Sequence, residues 1–383
     1  MENTDAPANH EHRFPCQTCG SDLRYAPGTD VLECNHCGNS QPIEGSNGWR
    51  GQAIRELDFR KAINDGLSEF EMSEIRTFSC VNCGAHVELN SHEHSAECPF
   101  CATPVVTQTG AEHQIKPRGL LPFALTEKQA RSRMGDWLGQ LWFAPNGLRA
   151  YARKGRKMQG IYVPYWTYDA DTRSSYTGKR GTIYYVSQTY YANVDGRRQR
   201  RTRRVQKIKW NGVRGRVSRF FDDVLVLASK SLPKKYTDSL GPWDLSAMEP
   251  YQPEYLAGFR AEGYTISLEE GYDEATTYVN RMIERDVKFD IGGDRQKITS
   301  VDTKIGTLSF KHVLLPVWLA AYKYRGRTYR FVVNGRTGTV QGERPYSRWK
   351  IFFAVSFGLM LTAIAGFLLA QGQANGSFVI QGF

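Results

Sequence analysis

All eight cysteines of the chain fall in two copies of one spacing: Cys16-x2-Cys19, fourteen residues, Cys34-x2-Cys37, then Cys80-x2-Cys83, fourteen residues, Cys98-x2-Cys101. A tetrahedral zinc ion takes four thiolates. A C-x2-C turn sets two of them on one knuckle, and a short β-hairpin brings the second knuckle opposite the first. Gly20, Gly38 and Gly84 follow three of the four knuckles, where the turn favours a residue without a Cβ. Pro15 and Pro99 stiffen two approaches. A disulfide framework would need an oxidising compartment, and residues 1–14 are polar, with no apolar signal-peptide run. Two structural Zn2+ ions are therefore expected, one on Cys16, Cys19, Cys34 and Cys37 and one on Cys80, Cys83, Cys98 and Cys101. Closed four-cysteine sites keep no open coordination position, which argues against a catalytic metal.

The 383-residue chain has a net charge of +11 that is unevenly divided. Residues 1–115 hold 7 Lys+Arg against 17 Asp+Glu, whereas residues 116–383 hold 43 against 22. Four thiolates on one Zn2+ add a further −2 per site. An acidic zinc head is poorly suited to phosphate backbones, which attract clustered Lys and Arg. The expected picture is an acidic zinc-bearing head displayed from a basic body.

Local signals place the remaining elements. Asp58 is an N-cap for a short helix from Phe59 to about Asn64, ended by Gly66. Glu69, Glu71 and Glu74 read as a solvated acidic stretch, and His86, His92 and His94 as surface residues of the second ribbon. Thr126-x-x-Gln129 is a capping box, and the helix after it puts Ala130, Met134, Trp137, Leu138 and Leu141 on one face. Ile161-Tyr162-Val163-Pro164-Tyr165-Trp166 is echoed 152 residues later by Val313-Leu314-Leu315-Pro316-Val317-Trp318. That weak internal repeat places Pro164 and Pro316 at edges or bulges, because proline cannot donate to a ladder. From Thr182 a β-meander is expected, turning at Asp195-Gly196 and Asn211-Gly212. Ser267-x-x-Glu270 caps a helix with Ala275, Val279, Met282 and Ile283 inward, and another meander follows, with turns at Gly292-Gly293, Arg325-Gly326 and Asn334-Gly335.

Residues 197–219 contain 11 Lys+Arg and no acid: Arg197, Arg198, Arg200, Arg201, Arg203, Arg204, Lys207, Lys209, Arg214, Arg216 and Arg219. Lys207 and Lys209 alternate with Ile208 and Trp210, which puts these two cations on one strand face, with Trp210 available for stacking. Residues 351–370 form a 20-residue stretch without charge, long enough to cross a bilayer, preceded by Arg344, Arg348 and Lys350. The positive-inside rule then puts the N-terminal bulk in the cytoplasm and the C-terminus outside, as a single-pass protein of a bacterial inner membrane. Reduced, zinc-bound cysteines agree with that compartment.

The expected fold is therefore multidomain: two small β zinc ribbons, an α+β, mainly antiparallel-sheet domain with a weak internal repeat, and one C-terminal transmembrane helix. Expected boundaries are 12–42 for ribbon 1, 43–75 for a connector with a short helix and 76–108 for ribbon 2. They continue as 115–345 for the basic α+β domain, with related β units near 160–221 and 296–342, then 351–370 for the transmembrane helix and 371–383 for an uncharged tail.

No phosphate loop, G-x-S-x-G elbow or H-E-x-x-H motif occurs, and seven of the eight histidines precede residue 115, leaving His312. No catalytic residue is identified. The acid pairs Asp222-Asp223 and Asp169/Asp171 read as strand-end and turn residues rather than acid–base pairs.

The paired ribbons, the Met158–Trp166 segment, Pro316-Val317-Trp318, the Asn334-Gly335-Arg336-Thr337-Gly338 turn and the terminal span together resemble a bacterial zinc-ribbon membrane protein family. Its members are often labelled primosomal protein N′ (replication factor Y), a superfamily II helicase. The helicase's phosphate loop and acidic box are missing here, so its activity does not carry over. The architecture is also similar to zinc-ribbon membrane proteins of phage-shock-like and SPFH-associated envelope-stress systems, which implies a recruiting role at the membrane. The expected function is a membrane-anchored cytosolic adaptor for protein partners, with the basic strands near anionic lipid. The alternative is nucleic-acid binding through the same strands, without a motor, and no small-molecule substrate is implied.

Overall fold

A computed structural model describes residues 14–44, 54–88, 95–101, 103–106, 110–143, 158–194, 197–324, 327–343 and 346–374. Its strands are β1 (Leu23–Tyr25), β2 (Val31–Cys34), β3 (Ser40–Pro42), β4 (Leu57–Asp58), β5 (Met72–Ser79), β6 (His86–Glu88), β7 (Ser95–Glu97), β8 (Pro104–Val106), β9 (Gly110–Ile115) and β10 (Gly119–Leu120). The second half of the chain adds β11 (Gln159–Val194), β12 (Arg197–Leu227), β13 (Glu249–Pro250), β14 (Arg260–Ala261), β15 (Arg295–Tyr324), β16 (Arg327–Asn334) and β17 (Val340–Gly342). Helices are α1 (Phe59–Asn64), α2 (Glu127–Gln140), α3 (Lys234–Thr237), α4 (Leu268–Ile291) and α5 (Arg348–Ala374). The sheets are mainly antiparallel.

Three very long strands organise the molecule. β11 pairs antiparallel with β12 from Tyr165↔Leu227 out to Val194↔Arg197, and on its other side with β15 from Gln159↔Leu319 to Gly181↔Arg295. The three-stranded body therefore narrows, beyond Gly181, to a two-stranded ribbon. At about 3.3 Å per residue the 36 residues of β11 alone run roughly 120 Å.

Asn211-Gly212 does not turn. Asn211 pairs with Arg180 and Gly212 with Lys179 in the middle of β12. The partner strand continues on both sides of that pair, and this long-range ladder overrides the local preference for a turn. Asp195-Gly196 and Arg325-Gly326 lie outside the described residues. Gly292 and Gly293 have positive φ, but the turn they make ends α4 and leads into β15 rather than joining two strands of a meander.

The two proline strands pair with each other, Pro164 opposite Leu314 and Pro316 opposite Tyr162. Both prolines sit inside the sheet rather than on an outer edge, and the register shifts of β11 fall elsewhere, at 168–172 and 177–178. Each instead faces the place where a neighbouring strand stops. Pro164 O accepts from Ala228 N, one residue past β12 (3.0 Å), and Pro316 O accepts from Gly335 N, one residue past β16 (2.8 Å). Neither missing N–H therefore interrupts a ladder.

Side chains alternate across these strands, so the sheet has two apolar faces. Tyr162, Leu314 and Trp318 meet the first cysteine unit (Leu23, Tyr25, Leu32) and the buried stripe of α2 (Ala130, Met134, Leu138) on one face. Ile161, Val163, Val313, Leu315 and Val317 meet the second unit (Phe78, Ala85, Val87, Phe100) on the other. Farther along the first face, Trp166, Tyr168 and Tyr176 pack on α4 through Ala275, Val279, Ile283 and Val287. The cysteine units are thus seated on opposite faces of one sheet, which corrects the expectation of knobs displayed from the body. Caps expected from sequence are present at Asp58, Thr126 and Ser267, each accepting from the backbone N–H three residues on.

Candidate metal centres and the basic ribbon

All four knuckles share one bond. The first cysteine's N–H donates to the carbonyl five residues on: Cys16 to Ser21 (2.8 Å), Cys34 to Asn39 (2.8 Å), Cys80 to Ala85 (2.9 Å) and Cys98 to Thr103 (2.9 Å). In the three glycine knuckles the chain turns back through Gly20, Gly38 and Gly84 at φ of 74°, 74° and 70°. Thiols meet across each pair of knuckles, Cys16–Cys37 at 3.6 Å, Cys19–Cys34 at 3.5 Å, Cys80–Cys101 at 3.5 Å and Cys83–Cys98 at 3.6 Å. A tetrahedron with metal–sulfur bonds of about 2.3 Å has edges of about 3.8 Å. A disulfide would bring two sulfurs to about 2.05 Å. The two clusters, in each of which all four sulfurs lie within 4.8 Å of one another, can therefore each hold a metal ion.

The centres differ in cover. Cys19 and Cys37 are exposed, whereas Cys80, Cys98 and Cys101 are buried and Cys83 is half-buried. The first unit is tied to the body by Tyr25 N to Ala257 O (2.9 Å) and Gly28 N to Phe123 O (2.8 Å), the second by Gly263 N to His86 O (2.9 Å). His86 also contacts Ser79 Oγ at 2.8 Å, while His92 and His94 lie outside the described residues.

The eleven basic residues do not form one surface. Arg197, Arg198, Arg200, Arg201, Arg203, Arg204, Lys207 and Lys209 belong to the two-stranded ribbon. Strand register puts Lys207 and Lys209 on one face with Arg197, Arg201 and Arg203, and Arg198, Arg200 and Arg204 on the other. Three guanidiniums lie over tyrosines of β11: Arg198 on Tyr191 (5.0 Å), Arg203 on Tyr190 (5.4 Å) and Arg204 on Tyr185 (5.3 Å). Arg214 and Arg216 sit lower, where the sheet has three strands, around a cavity of about 580 Å³ shared with Ser175, Thr177, Ser300 and Asp302. Arg219 is held by Asp286 of α4 through two bonds, 2.6 and 2.9 Å, which ties it to the body rather than to a free surface. Trp210 is half-buried against Gly181 with Lys297 over its ring at 4.7 Å, so one ring face is covered.

A charged junction was not evident from sequence. Lys311, 7% exposed, reaches Asp223 (2.8 Å), Glu56 (3.1 Å) and Asp169 (3.2 Å), which come from β15, β12, the connector and β11. Asp223, at φ 50°, donates its N–H to Asp169 Oδ1 at 2.5 Å, at the register shift that spans Tyr168 and Ala170. Burial pushes the Asp169 carboxyl up to about 6 despite the ammonium beside it. His312 is also buried. Its Nδ1 meets Ile115 O at 2.7 Å, its ring lies against Trp166 and Tyr264, and burial lowers its pKa to about 4. On the opposite face Glu262 takes the Ser229 hydroxyl at 2.6 Å, and burial raises it to about 8. Glu56, Asp223 and Lys311 line a cavity of about 760 Å³ shared with Tyr25, Asp30, Ser246 and Arg336, whereas His312 and Glu262 are buried, do not line it, and join segments of the fold.

Within α5, the segment Trp349–Gln371 is long and apolar enough to cross a membrane, and its most apolar stretch is not buried against the body. Aromatic residues from two elements gather at its base. Trp142 and Phe143, just past α2, are exposed, as are Tyr346 and Trp349. Ser347 N donates to Phe143 O (2.7 Å) and Lys350 Nζ to Trp142 O (3.1 Å).

No family model matches the chain. It is 23% identical over 343 residues to a Bacillus subtilis (strain 168) protein described as uncharacterized protein YdjG, covering 88% of this chain and 91% of that one. No solved structure matches it.

Proposed function

We propose that the chain is a membrane-anchored cytosolic adaptor whose two centres hold structural zinc and whose body recruits protein partners at a bacterial inner membrane, in keeping with the envelope-stress families that its sequence resembles. The observation that carries this is the uncovered apolar helix with an aromatic collar drawn from two separate elements. Such collars suit the headgroup level, where amphipathic rings settle. Arg348 and Lys350 at the entry favour a cytoplasmic body. The zinc ions brace the faces of the sheet, and the domains of the earlier expectation act as one scaffold.

The basic ribbon leaves the sheet at the end opposite β17 and the anchor. Attraction to an anionic leaflet fades within about 8 Å at physiological salt. With the tip at the far end of a strand roughly 120 Å long, the ribbon meets lipid only when it lies along the surface. An upright ribbon presents its charge to cytosolic partners instead. Nucleic acid remains the alternative ligand for that charge.

Membrane partition tests the proposal. The full chain should stay with membranes after an alkaline carbonate wash and carry two zinc ions per chain, and deletion of residues 349–371 should release it. Extraction of the intact chain by carbonate would refute the anchor, and a metal content below one ion per chain would refute the zinc assignment.

A further inference from the structure

β11 loses a neighbour at Gly181 and, among the described residues, gains none afterwards. Each strand residue sends its N–H and C=O to one side, and the side alternates along the chain. On the β15 side, Gly181 O accepts from Asp294 N (3.0 Å) and Ile183 N donates to Asp294 Oδ2 (2.7 Å), which are the last bonds there among the described residues. Tyr185, Ser187, Thr189, Tyr191 and Asn193 therefore turn their backbone groups to a side on which β15 has not begun, and all five residues are exposed.

This edge lacks the usual protection. Open edges are ordinarily blunted by charge, proline, bulges or brevity. Residues 182–194 contain no charged residue, proline or glycine, and are rich in tyrosine, threonine and valine. No register shift interrupts their pairing with β12. The opposite edge, β12, is loaded with eight cations over residues 197–209. One edge is guarded and the other is left open.

We propose that the open edge of β11 is a strand-addition site for an extended acidic segment of a partner protein. Main-chain pairing would supply affinity, and alternate side chains the selectivity. The charge distribution identifies the occupant. Arg203 leans over Tyr190 on one face of β11, and Arg198 and Arg204 lean over Tyr191 and Tyr185 on the other. Cations thus flank the open edge above and below. An extended segment alternates its side chains between the same two faces, so carboxylates on both faces find guanidiniums. A second copy of the chain fits poorly, because residues 182–194 hold no acid and pairing would bring arginines towards arginines. Nucleic acid and lipid bring negative charge but no strand to complete the ladder.

The inference rests on the adaptor proposal only in taking the ligand to be a protein segment; it does not depend on the membrane anchor. Its test uses the full chain in detergent micelles. The probe is an eleven-residue glutamate-, valine- and threonine-rich peptide with glutamates on both faces of its extended form. A lysine-for-glutamate peptide, duplex DNA and phosphatidylglycerol vesicles form the other arms. Thr189→Pro removes an outward N–H that β12 does not use, a change that edge strands accept. Saturable binding of the glutamate peptide is expected, at least tenfold weaker in Thr189→Pro and in Ser187→Pro, at least threefold weaker in Arg203→Gln/Arg204→Gln, and absent for the lysine peptide. No binding of the glutamate peptide, or equal binding by Thr189→Pro and the parent, would overturn the proposal. So would tight binding of DNA or vesicles indifferent to Thr189→Pro alongside no peptide binding, which would show a polyanion surface. Carbonate extraction reports on the anchor separately, so either result can fail alone.

Discussion

Protonating His312 inside the fold is the perturbation whose cost follows most directly from its surroundings. The ring packs against both Trp166 and Tyr264, and its Nδ1 is committed to Ile115 O, which leaves Nε2 buried without a hydrogen-bond partner. Burial lowers the folded pKa to about 4 from an ordinary 6.5. The folded state therefore stays neutral while the unfolded chain takes up a proton, so the stabilisation is full above pH 6.5 and is lost as pH falls towards 4. Over the whole window the loss is about 3 kcal/mol, at 1.36 kcal/mol per unit of difference. Between pH 7.5 and 5.5, a range chosen to limit thiolate protonation, about 1.4 kcal/mol of it should appear. His312→Asn keeps a donor near Ile115 O but does not titrate. It should be less stable than the parent at pH 7.5, because it leaves a cavity beside two aromatic rings, and the gap should narrow by about 1.4 kcal/mol at pH 5.5. Urea unfolding of both chains in detergent, followed by tryptophan fluorescence, measures the gap. Parallel pH dependences, with the gap constant to within about 0.3 kcal/mol, would show that burial does not hold His312 neutral.

Lys311→Met removes the single ammonium beside Asp169, Asp223 and Glu56; urea unfolding at pH 7.5 should show a loss of about 3 kcal/mol, at the low end for a broken buried pair because Glu56 is 40% exposed. That loss should shrink at pH 5, where Asp169, already raised to about 6, takes up a proton. Glu262 behaves in the opposite sense to His312. Its folded pKa of about 8 lies above the ordinary 4.5, so the stability it lends is present at low pH and is lost as pH rises through 8. Relative to the parent, Glu262→Gln should gain about 2 kcal/mol between pH 6 and pH 8 in the same unfolding assay. Chelator competition with a colorimetric zinc reporter should release metal in two phases, the faster from the site with exposed Cys19 and Cys37. Cys19→Ser should abolish the fast phase, whereas Cys83→Ser should remove the slow one.

Features set by short sequence windows could be read directly. The cysteine spacings anticipate both clusters. Asp58, Thr126 and Ser267 mark three helix starts, because a cap involves only residues within one turn. Long-range pairing was less legible. Asn211-Gly212 has every local mark of a turn and becomes mid-strand because Lys179 and Arg180 lie opposite it. The Lys311 junction joins residues 56, 169, 223 and 311, which no spacing rule connects. The open edge of β11 becomes visible only once β15 is known to begin at Arg295. Arg219 looked like its ten basic neighbours until α4 brought Asp286 to it.

Seating both cysteine units on the long sheet also sets an order of assembly. Each unit can capture its ion from cysteines less than about two dozen residues apart, soon after synthesis. Its seat is made much later. Tyr25 waits for Tyr255 and Ala257, and the apolar faces of both units wait for residues 313–319 of β15. Contacts so distant in sequence form slowly and leave apolar surface uncovered meanwhile. Early metal binding would keep each unit compact through that interval, so zinc supply during synthesis should govern yield more strongly than zinc supplied to the finished chain.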